Sequence, residues 1–74
     1  MERKFYKDLW SLRFKKMLKL EEQSIVDYEK LLAETKKRVQ NEIISEHLKK
    51  LISDEKKHVL LVKELLQILE RQPE

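Results

Sequence analysis

Residues 44–69, ISEHLKKLISDEKKHVLLVKELLQIL, decide how this chain folds. Ile44, Leu48, Leu51, Val62, Leu65 and Leu69 follow the alternating three-and-four spacing of a packed helix face. Glu55 and His58 fall on the same stripe. No glycine or proline interrupts it, so the stretch reads as one helix. Upstream, Trp10, Phe14, Met17, Ser24, Tyr28, Leu31 and Thr35 repeat the spacing, with Glu21 in their midst. A carboxylate on such a face loses its water, which is costly unless it is paired or coordinates a metal. Three metal-liking side chains therefore stand where a core takes leucine.

Outward from these stripes, composition sets the class. The chain has 74 residues, enough for a single small domain over 1–74. It has no cysteine, which removes disulfides and thiolate metal sites. With no glycine and only Pro73, it reads as all-α. Charged residues make up 42%, but the apolar residues are periodic, which disfavours disorder. No apolar run approaches the roughly 20 residues that cross a bilayer, and no signal-peptide pattern is visible. The expected location is cytoplasmic, or within an enclosing protein compartment.

Two helices are expected, helix A over about 5–35 and helix B over about 40–71, with a turn at about 36–39. Thr35 and Asn41 are the nearest residues with turn or N-cap chemistry. Each helix would be about 45 Å long at the α-helical rise. Beside the main stripes lie Leu9, Leu18, Leu20, Ile25 and Leu32 in the first helix. Ile43, Ile52, Val59, Leu61, Leu66 and Ile68 lie beside them in the second. One hairpin cannot cover so much apolar surface. A homodimer at minimum is expected, two antiparallel hairpins forming a four-helix bundle.

Register gives a check on the site. The midpoint of Glu21 and Glu55 is residue 38, inside the expected turn, so the two carboxylates share one level of the hairpin. His58 follows Glu55 at the i, i+3 spacing of one helix face. Paired hairpins would supply two Glu21, two Glu55 and two His58. That is the ligand inventory of carboxylate-bridged di-iron or di-manganese bundles. Four carboxylates balance two divalent cations, and oxygen with imidazole suits iron(II), manganese or zinc. Blander readings stand beside this one. His58 can be a core histidine bonded to Glu55 or Tyr28, and a small helix rotation would exchange Glu21 with Glu22. His47 lies on the flank of helix B and reads as an ordinary surface residue. Tyr28 is an aromatic of the stripe, and a partner of the site second.

These residues resemble the ferritin-like, rubrerythrin-related family. Glu21-Glu22-Gln23-Ser24-Ile25-Val26-Asp27-Tyr28 is similar to the family's first-helix motif, a ligand Glu seven residues before a site-adjacent Tyr. Asp54-Glu55-Lys56-Lys57-His58 is similar to its second-helix motif. The likeness covers roughly residues 18–69. Most members hold both bundle halves in one chain, whereas this sequence holds one half, which resembles the encapsulated-ferritin branch. That branch's additional C-terminal helix and shell-targeting tail have no counterpart in these 74 residues. The resemblance implies that Glu21, Glu55 and His58 are iron ligands, two irons per dimer, with Tyr28 close by; these four form the candidate catalytic set. It implies a ferroxidase-type oxidoreductase serving iron storage or peroxide removal, with a larger assembly or an enclosing shell around it. The competing reading is a non-catalytic dimeric helical interaction module whose polar core sets register.

The net charge is +3, but residues 1–20 hold seven basic groups against two acids, with four of the five aromatics. The expected role of this segment is packing of the first turns of helix A on a neighbouring subunit. An interfacial membrane helix is less favoured. A nucleic-acid surface is least favoured, because no second basic element supports it.

Overall fold

A computed structural model describes residues 2–73; Met1 and Glu74 lie outside the described residues, and of Glu2 only the backbone is described. The chain is all-helical. Helix α1 spans Glu2–Glu34, a wide turn of π-helical geometry spans Thr35–Val39, and helix α2 spans Glu42–Glu70. The breaker-free composition explains the length of both helices.

The turn is built without glycine. The Gln40 N–H donates to the Thr35 carbonyl at 2.7 Å, and Gln40 takes up left-handed geometry at φ 53°, ψ 39°. That conformation costs an L-residue about 1–2 kcal/mol. Asn41 then caps α2, its Oδ1 accepting from the Ile43 and Ile44 N–H groups at 3.0 and 3.1 Å. Glu42 adds an acid to the first turn, where it suits the helix dipole. At the far end the Lys7 ammonium donates to the Glu70 and Gln72 carbonyls at 3.0 and 3.1 Å. It thereby ties the start of α1 to the last carbonyl of α2 and to one just past its end, a C-terminal cap of opposite sign.

The seam between the helices runs Ser11, Phe14, Leu18, Glu21, Ile25, Tyr28 and Leu32 on α1, Thr35 at the start of the turn, and Ser45, Leu48, Ile52, Glu55, Val59, Val62, Leu66 and Leu69 on α2, all buried or half-buried. It differs from the stripe expected from sequence. Phe14, Glu21, Tyr28, Thr35, Leu48, Glu55, Val62 and Leu69 are in it. Trp10, Met17, Leu31, Ile44, Leu51, His58 and Leu65 are exposed instead. Their places are taken by residues one position later: Ser11, Leu18, Leu32, Ser45, Ile52, Val59 and Leu66. The reason is that each helix carries two adjoining apolar faces, and the periodicity traced the line between them. One face is packed inside the hairpin. The other is open, and because the helices are antiparallel with the same offset, both open stripes fall on one side.

The packed face is thin. Only Ile52, Val59 and Val62 are fully buried apolar residues among those described, against sixteen large apolar side chains left exposed.

Candidate metal centre

Glu21, from mid-α1, and Glu55 and His58, from adjacent turns of α2, meet at one level of the hairpin. A carboxylate oxygen from each glutamate and a ring nitrogen of the histidine all lie within 4.8 Å of one another. The His58 Nδ1 stands 3.7 Å from Glu21 Oε2 and 3.7 Å from Glu55 Oε1. These are ion-pair separations, too long for hydrogen bonds. Donors that share one ion at about 2.1 Å stand roughly 3–4 Å apart. Two carboxylates and an imidazole are the donor types a divalent cation takes.

Burial grades across the three. The side chain of Glu55 is 19% exposed, that of Glu21 29% and that of His58 53%. Dry surroundings for all three were expected; the single hairpin gives them to neither glutamate fully and to His58 least. The cause is the offset already described: the glutamates lie at the edge of the packed seam, and His58 lies on the open face. The trio therefore looks out from the hairpin at about mid-length of that face, with Met17 and Leu51 on the open stripes one turn before Glu21 and Glu55.

Electrostatics mark the same point. The Glu55 carboxyl is held above its ordinary value of 4.5. The largest cause is its hydrogen-bonding contact with the Glu21 carboxyl. Loss of water and the Glu21 charge come next, and Asp54 adds to them. His58 pulls the other way. A carboxyl that shares a site with a second carboxyl is raised in this way.

Tyr28 and His47 lie on other turns of the two helices. Tyr28 is half-buried in the seam, seven residues beyond Glu21, about 10 Å further along the axis. Among the described residues its hydroxyl has no hydrogen bond to the trio. His47 is exposed, with Nδ1 2.7 Å from the Ile43 carbonyl, and stands apart from the cluster. Lys7 caps α2 without any motif of its own; its place at 7 in the series 7, 11, 14, 18 is the signal that it lies on the seam.

No protein-family model matches this chain, and no curated protein or solved structure matches it. None of the helices among the described residues is long and apolar enough to cross a membrane.

Proposed function

We propose that two hairpins pair through their open faces into a ferritin-like four-helix bundle, and that their two trios together form a carboxylate-rich centre for two iron ions. The observation that carries this is the meeting of Glu21, Glu55 and His58 within 4.8 Å at mid-length of an uncovered apolar face. A centre placed there meets its copy whichever way the second hairpin runs. Iron(II) is the substrate in this reading, and each ion loses one electron to O₂ or peroxide.

The chain's own part is to bind, orient and exclude water. Glu21 and Glu55 supply anionic oxygens, and His58 supplies a neutral nitrogen. Because Glu55 holds a proton more tightly than an ordinary carboxyl, that proton must leave as a cation enters, so binding tightens as pH rises through its pKa. Met17 and Leu51, brought against a second copy, would wall the centre from water. Manganese or zinc would fit the same donors.

The test is aerobic iron(II) titration. The wild-type protein is expected to oxidise iron faster than buffer does, and Glu55→Ala to abolish the excess rate. A wild-type rate equal to buffer would dispose of the ferroxidase reading.

One observation favours a second reading. His58 Nδ1 is equidistant from the two carboxylates, the arrangement of a metal-free polar core that sets register. Metal content after purification separates the two. The interaction-module reading requires a metal-free protein whose melting temperature ignores chelator.

A further inference from the structure

The first turns of α1 carry apolar side chains on a side that neither the seam nor the open face uses. At 3.6 residues per turn, Phe5, Leu9 and Leu12 lie about 140–180° around the helix from Phe14 of the seam. Phe5 also lies about 140° from Trp10 of the open face, and Leu12 about 140° from Met17. Phe5 is 64% exposed and Leu12 67%, so nothing in the hairpin covers them. Leu9 is half-buried between them, and Tyr6 is exposed at the border with the open face. Together they make a short apolar strip on the outward side of α1, directed away from α2.

Basic groups continue this strip. Residues 3–20 hold seven of them against one acid, Asp8. Arg13, Lys16 and Lys19 stand seven residues beyond Tyr6, Leu9 and Leu12, two helical turns further along the same side. All three are exposed, and among the described residues none has an acidic partner at ion-pair distance. The Arg13 guanidinium lies 4.8 Å from the centre of the Trp10 ring. At the same end of the hairpin is a cleft of about 420 Å³ whose walls include Arg3, Tyr6, Trp10 and Leu69. It sets a cation beside aromatic and aliphatic walls, the combination that a lipid's phosphate and acyl chain require.

From these features we infer that the outward side of α1, over residues 5–19, docks on an anionic lipid bilayer. Phe5, Leu9 and Leu12 enter the boundary between headgroups and acyl chains. Tyr6 and Trp10 lie at its polar edge, and Arg13, Lys16 and Lys19 meet lipid phosphates. The helix lies on the surface, since no helix among the described residues is long and apolar enough to cross. A neighbouring subunit was the expected cover for this segment. A copy docked on the open face reaches Trp10 and Met17, however, and leaves Phe5 and Leu12 bare. A nucleic acid would take the bases and leave the apolar strip in water. A bilayer takes both, and it needs no groove shaped to a convex helix. The inference does not rest on the iron reading.

The test is co-sedimentation of the whole chain with vesicles of phosphatidylglycerol and phosphatidylcholine. Binding is expected to be about tenfold tighter than to phosphatidylcholine alone, and to weaken with salt. Trp10, the only tryptophan, should shift its emission to the blue as the mixed vesicles are added. Phe5→Ser combined with Leu12→Ser should weaken binding about tenfold or more, through lost apolar burial. Both side chains are bare, so the seam stays intact. Ile43→Ser removes an equally exposed apolar side chain at the turn end and should leave binding unchanged. Three results would overturn the inference. One is wild-type protein that stays in the supernatant with the mixed vesicles. Another is binding that survives the double substitution and is competed away by duplex DNA, which makes the segment a general polyanion surface. The third is a double substitution that changes the sedimentation of lipid-free protein, which makes the strip a contact between subunits.

Discussion

Glu55 is the residue at which the competing forces are clearest. It sits on the seam, touches Glu21, and is held in its protonated form more strongly than a free glutamate. A carboxyl whose folded pKa exceeds its unfolded one stabilises the fold fully below the unfolded value, and that contribution fades as pH rises through the raised value. The metal-free protein should therefore gain melting temperature as pH falls through the raised value toward 4.5, from this group. A cation in the site replaces the proton, so the trend should weaken with iron(II) or zinc present. Thermal melts across this range check it, with Glu55→Gln as the control whose slope is flatter. The meeting of the three side chains is legible in the sequence: an i, i+3 pair, a third donor, and a midpoint inside a turn. Their exposure is not, because periodicity reports which residues share a face and does not say whether a given edge of that face is covered.

At the scale of elements, the turn carries a conformational cost and the cap offsets it. Gln40→Gly should stabilise the hairpin by up to about 1 kcal/mol, because glycine takes the left-handed conformation without the steric penalty. Asn41→Ala should destabilise it by about 1 kcal/mol through loss of the two bonds to Ile43 and Ile44. Denaturant unfolding at fixed protein concentration measures both. The sequence marked Asn41 as cap chemistry and placed the turn within a residue or two of Thr35–Val39, since the charged run 36–38 interrupts the apolar pattern. The seam was harder to read. Phe14, Tyr28, Leu48 and Val62 lie in it as their spacing predicts, while Trp10, Met17, Leu51 and Leu65 lie one position off it. Leu51 and Ile52 show why: both are apolar, adjacent, and on faces that touch, so spacing alone cannot rank them. Packing ranks them, with Ile52 buried and Leu51 open. Substitution separates the two faces: Ile52→Ala should cost about 2–4 kcal/mol of stability, whereas Leu51→Asp should mainly weaken association of two copies, read by sedimentation.

The whole molecule is a thin ribbon of 56 × 14 × 10 Å. Its radius of gyration is 17.0 Å, against about 11 Å for a compact chain of this length. Three buried apolar side chains cannot by themselves balance the entropy of ordering two long helices. The shape, the exposed apolar side chains of the open face and the position of the trio are all accounted for if a second hairpin closes over that face. Metal held between the two copies should then raise the melting temperature, and more so at higher protein concentration, by mass action. The most direct measurement is anomalous diffraction at the iron edge from crystals grown with iron(II). The account predicts two anomalous peaks per hairpin pair, each bounded by Glu21, Glu55 and His58 side chains. Crystals of iron-soaked protein with no peak at that level, and the three side chains turned into bulk solvent, would contradict it.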